Sequence, residues 1–232
     1  MFRDKKRYGQ DPGRIHRSSN VTFNKPLHWK ESAKVFICSW SDFFLEEADE
    51  WRPEAWWIIR KCKHLTFQIL TKRPENIKDR LPEGWPFENV WLGVTAENQE
   101  MADLRIPQLL QIPAAVRFVS VEPMLGSVDL SDWVGRVTGC TLHCQKSKNE
   151  CRAMSGDCES AYESFRGVDW AICGGESGPN ARPMELMWAE SLYDQCAGAG
   201  VPFFMKQMSG TTKKQREAIP DHINVREFPG EV

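Results

Sequence analysis

No apolar run in this sequence approaches the ~20 residues that a helix needs to cross a bilayer. The first residues, Met1-Phe2-Arg3-Asp4-Lys5-Lys6-Arg7, lack the apolar stretch of a secretory signal, so a cytoplasmic location is the expectation. Net charge is also missing. Thirty Lys and Arg face 32 Asp and Glu, a balance of −2, which gives no global attraction to nucleic acid and leaves only local basic patches. Neither a G-x-G-x-x-G dinucleotide loop nor a phosphate-binding P-loop occurs, and neither a His-Glu-x-x-His pattern nor a Ser-His-Asp order is present.

What is present fits one large domain with a buried core: 232 residues, 41% hydrophobic and 27% charged. The ten tryptophans are read as core anchors, because each ring buries a large area. In a reducing compartment the eight cysteines are thiols or metal ligands rather than disulfides.

One rhythm recurs along the chain: a short β-branched apolar run, a polar cluster, then an amphipathic stretch. The runs lie at 34–42, 65–71, 90–95, 116–123, 168–173 and 202–207. Helical spacing follows at 50–62, 74–81, 99–111 and 185–199. Pro107 is expected to kink or divide the third of these helices, and Gly198 with Gly200 to stop the fourth. Alternating strands and helices predict an α/β fold with parallel, right-handed crossovers. Near-continuous apolar strands predict burial on both faces. A partial or complete (β/α) barrel, TIM-barrel-like, is the expected architecture, and an open doubly wound sheet is the runner-up. Residues 1–33 read as a basic extension wrapping the outside, residues 34–232 as the barrel domain, and 138–166 as a Cys-rich insertion. Residues 225–228 read as a small extra strand.

Ligands in parallel α/β folds bind at the carboxyl ends of the strands. The polar residues there are the candidates: Ser39, Ser41 and Asp42 at the end of the first run, Thr71, Lys72 and Arg73 at the end of the second, Thr95, Glu97 and Asn98 at the end of the third, and Gly174, Gly175, Glu176 and Ser177 after the fifth. Ser120 and Glu122 end the fourth run, and Lys206 and Gln207 the sixth, with no intervening turn. A polar residue in a buried strand needs a partner or a ligand. Glu122 and Lys206 suit an acid and a base, and a salt bridge between the two would equally satisfy them. The glycines of Gly174-Gly175-Glu176-Ser177-Gly178-Pro179 permit close backbone approach to a ligand, and the glutamate could accept from an amino or hydroxyl group. The cations of Thr71-Lys72-Arg73-Pro74 suit an anionic group. Cys140, Cys144, Cys151 and Cys158, spaced C-x3-C-x6-C-x6-C with His143 beside them, could make one tetrahedral zinc site, could remain unligated or redox-paired thiols, or could hold an iron–sulfur cluster.

Six ordered segments carry a resemblance: Phe36–Phe44, Thr66–Pro74, Val90–Val94, Arg117–Pro123, Gly174–Pro179 and Pro202–Gln207. Together they resemble a phage and prophage protein family of unknown function whose members look like radical S-adenosylmethionine (SAM) enzymes. The resemblance implies SAM and a [4Fe–4S] cluster as cofactors and a 5′-deoxyadenosyl radical as the reactive species. It further implies that Glu122 and Glu176 line the SAM or substrate pocket. The family's Gly-Cys-x-x-Cys-Tyr-Ala cluster segment lies upstream of the stretch that Met1-Phe2-Arg3-Asp4 resembles, so the chain is expected to be an N-terminally truncated form lacking its cluster ligands. The alternative reading is a zinc-stabilised, non-enzymatic phage accessory or nucleic-acid-binding module, built on Cys140–Cys158 and on Lys5, Lys6, Arg7, Arg14 and Arg17.

Overall fold

The computed structural model describes residues 15–39, 41–134, 136–137, 165–210 and 218–231. The chain divides into two compact units, the first within Met1–Trp91 plus Pro113–Ala115 and the second within Leu92–Ile112 plus Val116–Val232.

The first unit opens on a single helical turn, α1 (Asn20–Phe23), capped by the Ser19 hydroxyl, which accepts from the Thr22 N–H. A 3-10 turn at Lys25–His28 follows. This segment is fastened to the unit by an Arg17–Glu54 pair at 2.7 Å and by His64 Nε2, 2.9 Å from the Trp29 carbonyl. Strand β1 (Ala33–Ile37) pairs in parallel with β2 (Leu65–Thr71), placing Val35 opposite Phe67 and Phe36 opposite Gln68. Between them, α2 (Arg52–Lys61) carries Pro53 in its first turn, where the missing N–H has no helical partner to lose. It buries Trp56, Ile58 and Ile59. The Trp56 ring meets Phe43 at 4.9 Å, Trp85 at 5.6 Å and Phe87 at 6.0 Å, so several of the tryptophans do anchor a core. The helix expected at 74–81 is instead two 3-10 turns, Pro74–Asn76 and Lys78–Arg80.

Strand β3 (Val90–Thr95) begins in the first unit and ends in the second. The second unit continues with α3 (Gln99–Leu110), capped by the Asn98 side chain, which accepts from the Met101 N–H. Pro107 does not divide this helix. It stands in the last turn, and the nearby Leu104 carbonyl accepts from the Gln108 side chain at 2.8 Å. Strand β4 (Val116–Val121) follows. The two-residue strands β5 (Arg136–Val137) and β6 (Phe165–Arg166) pair antiparallel at the base of the predicted insertion. Then come β7 (Trp170–Gly174), α4 (Leu186–Ala199) and β8 (Phe203–Gln207). Helix α4 runs through Gly198 and stops at Gly200, whose φ of 67° is the left-handed conformation of a helix end.

Strands β4, β7 and β8 pair in parallel. The six long strands follow the order β1-β2-β3-β4-β7-β8, which is their order in sequence. A doubly wound sheet reverses its order at a switch point, and no reversal occurs here. The fold is α/β. Helix α4 covers one face of the second unit's strands, with Tyr193 against Phe203 at 5.5 Å. The other face is aromatic. Phe118 lies so close over Gly93 that a Cβ there would be 2.5 Å from the ring. Phe118 meets Trp170 at 5.5 Å, Trp170 meets Phe204 at 6.0 Å, and Phe228 packs on both. Residues 225–227 pair antiparallel along β8 through the Met205 N–H to Val225 carbonyl bond and the Glu227 N–H to Phe203 carbonyl bond. The expected extra strand is therefore a bridge between Phe204 and Arg226 that covers an edge of β8.

Candidate functional site at the strand ends

In the second unit, three glutamates follow strand ends, each with its own cation. Glu97 follows β3 and takes Arg105 at 2.8 Å. Glu122 follows β4 and takes Lys206 of β8, with Nζ 2.7 Å from Oε1 and 2.9 Å from Oε2. Glu176 follows β7 and takes Arg182 in a fork, 2.7 Å from Nε and 3.2 Å from Nη2, while the Arg182 backbone N–H donates at 2.9 Å. The pairs differ in exposure. Arg105 and Glu97 are nearly covered, at 11% and 18%. Lys206 and Glu122 are at 51% and 21%, so the ammonium is the more open member of the pair.

The backbone around Glu122 explains its position. The Met124 N–H donates to the Gly174 carbonyl, which ties the chain after β4 to the end of β7. Gly174 lies under the carboxylate: a Cβ there would be 3.2 Å from Cδ and 3.4 Å from Oε1 of Glu122. Gly175 has a different constraint. A Cβ there would lie 2.2 Å from the Ser209 nitrogen, so only glycine fits. The Gly175 N–H donates to the Gln207 carbonyl, and the Gln207 side chain donates back to the Gly175 carbonyl at 2.9 Å. The β7–β8 pairing is extended by a Ser177–Gly210 bridge. The Arg182 fork closes the intervening loop, which turns through Gly178 (φ 115°) and Asn180 (φ 60°). Hydrogen bonds from Arg182 hold the Glu176 carboxyl below the usual glutamate range, and Glu176 raises Arg182 in return.

The first unit holds the other candidates. Asp42 Oδ1 accepts from the Thr71 hydroxyl at 2.8 Å and the Phe44 N–H at 2.9 Å. Its Oδ2 accepts from the Lys72 N–H at 2.9 Å and from Arg73 at 3.4 Å. The carboxylate thus joins the chain after β1 to the end of β2 and holds Arg73 half-exposed. Ser39 and Lys72 are exposed. A separate open cleft of about 620 Å³ lies between Trp56, Trp57 and Arg60 on one side and Arg80, Leu81 and Pro82 on the other. Hydrogen bonds from Arg80 and Arg52 at its rim depress the Asp49 carboxyl.

The fit of the expected cofactors can be tested on these residues. No group of three or more His, Cys, Asp or Glu that could hold a metal occurs among the described residues. Cys38 is exposed after β1, while Cys62, Cys173 and Cys196 are buried free thiols. Burial pushes the thiols of Cys173 and Cys196 up to about 12. With no such group, the described cysteines do not fit an iron–sulfur cluster, and Glu176 is already engaged by Arg182. Cys140, Cys144, Cys151 and Cys158 lie outside the described residues, as do Lys5, Lys6, Arg7 and Arg14. Arg17 is engaged with Glu54. No helix among the described residues is long and apolar enough to cross a membrane.

Reading the sequence alone missed Arg105 and Arg182, whose roles depend on chain reversals that spacing does not reveal. It also passed over Gln68, a buried polar residue in the middle of β2 that the same reasoning applied to Ser120 would have flagged.

No curated protein and no solved structure matches the chain. A family model described as "Protein of unknown function (DUF5131)" matches residues 3–232, and the chain belongs to that family.

Proposed function

We propose that this chain is the catalytic body of an enzyme that works at the carboxyl ends of its parallel strands, with Glu122 and Lys206 facing the substrate. The observation that carries the reading is their 2.7 Å contact together with its exposure. The contact leaves half of the lysine open on a site whose floor is a glycine. Glu122 is placed to accept a proton from a bound substrate. Lys206 Nζ, a compact ammonium with three donors, is placed to stabilise the negative charge that then develops.

A finer reading makes this body a radical-SAM-like one. The strand order supports it, because six parallel strands wound in sequence are what a partial (β/α) barrel requires. The described cysteines do not fit the cluster, so no step is assigned to the cofactor.

The test is metabolite consumption. The purified chain is incubated with a small-molecule extract, and the products are compared by mass spectrometry with those of Glu122→Gln and Lys206→Gln. A compound consumed by the parent protein and spared by both variants supports the reading. Identical profiles from all three refute it. The same comparison before and after anaerobic reconstitution with iron and sulfide separates the two forms. Iron-dependent absorbance with SAM cleavage favours the radical form, and full consumption by iron-free protein favours simple acid–base chemistry.

A further inference from the structure

Gln68, at the centre of β2, is 8% exposed, and its Nε2 has no hydrogen-bond partner among the described residues. A buried amide without a partner has given up its hydrogen bonds to water and gained none in return. A protein keeps such a group where it serves something, or where a partner arrives later. Opposite Gln68 in the parallel register stands Phe36 of β1. Register partners in a parallel pair share a face, so the amide and the ring lie on the same side of these two strands. Phe36 is 45% exposed, one of the few large apolar side chains open to solvent. The neighbouring Thr66 and Leu70, also on this face, are half-buried. One face of the first unit thus combines an open aromatic ring, an apolar flank and an unspent N–H donor.

From this juxtaposition of Phe36 and Gln68 we propose a binding site for a planar heteroaromatic ring that carries a hydrogen-bond acceptor, a nucleobase being the common example. The ring stacks on Phe36, which forms the entrance. Its acceptor takes the Gln68 N–H, which turns outward about the last side-chain torsion, a broad and low-cost rotation. The donor then recovers the hydrogen bond it lacks, and a ring without an acceptor does not bind equally well, because it leaves the amide unpaired. The site is independent of the Glu122–Lys206 reading and does not fall with it.

The test uses the full chain with adenosine and uridine as probes and ribose as the ring-free control, followed by calorimetric titration. Saturable binding of a nucleoside but not of ribose is expected, weakened at least tenfold in both Phe36→Ala and Gln68→Leu. Absence of nucleoside binding, or binding that both variants leave intact, overturns the proposal. Thermal melting of Gln68→Leu provides a second check. Removing an unsatisfied amide should leave the melting temperature unchanged or raised. A clear fall would mean that the amide is already satisfied within the protein, and would overturn the proposal too.

Discussion

Gly175 and Ser209 are packed so closely that a Cβ on the glycine would stand 2.2 Å from the Ser209 nitrogen. The obstacle is backbone, which cannot swing aside. Gly175→Ala must therefore separate the chain after β7 from the chain after β8, at a cost of at least about 1–3 kcal/mol. Gly174→Ala is the instructive control. Its Cβ would meet the Glu122 side chain at 3.2 Å, so the carboxylate can shift by a few tenths of an ångström. Chemical denaturation should show a large loss for Gly175→Ala and a small one for Gly174→Ala. The latter should affect substrate consumption more than stability.

Glu122 and Lys206 should behave oppositely to those glycines. The pair is open to water on the lysine side, and exposed ion pairs contribute about 0.2–1 kcal/mol. A double-mutant cycle with Glu122→Gln and Lys206→Gln, read by urea denaturation, should return a coupling no larger than that. Each single variant should nevertheless abolish consumption of the compound that the parent protein uses. A coupling of several kcal/mol would mark the pair as a structural fastening instead.

Asp42 is such a fastening. Its side chain is 10% exposed and accepts from four donors, three of them on Thr71, Lys72 and Arg73 at the end of β2. Asp42→Ala strands the Thr71 hydroxyl and two backbone N–H groups and should cost about 3 kcal/mol or more. Asp42→Asn keeps the size of the side chain and one acceptor oxygen, so it should cost less. The ordering of the two variants in thermal melting tests whether hydrogen bonding or packing dominates.

The parts of the fold that the sequence revealed are those set by local patterning. Leu65–Thr71 reads as a strand because it is a short apolar run holding Thr66, Phe67, Ile69 and Thr71, and a Pro follows three residues on. Gly200 marks a helix end because only a residue tolerant of positive φ can take that place. Pro107 leaves its helix undivided because it stands in the last turn, where few intrahelical bonds lie beyond it. At the candidate site, Glu122 and Lys206 were legible as polar residues ending apolar runs, and their mutual contact was one of the two outcomes that such a pattern allows. The Glu176–Arg182 fork was not. It depends on a loop turning through Gly178 and Asn180 at positive φ, and no periodicity encodes that turn.

That fork makes the loop after β7 acid-sensitive. Hydrogen bonds from Arg182 depress the Glu176 carboxyl below the ordinary value of about 4.3. A depressed carboxylate stabilises the folded loop at every pH above that ordinary value. The contribution is lost as pH falls through the depressed one, because protonation removes the charge that Arg182 grips. The Arg182 backbone N–H reports the event directly, since it donates to the same carboxylate. Its protection against hydrogen exchange, corrected for the intrinsic pH dependence of exchange, should hold at neutral pH and collapse below the ordinary glutamate range. In Glu176→Gln the protection should be weak at every pH and the acid transition absent. An unchanged acid transition in that variant would assign the titration to another carboxylate and separate the loop's closure from Glu176.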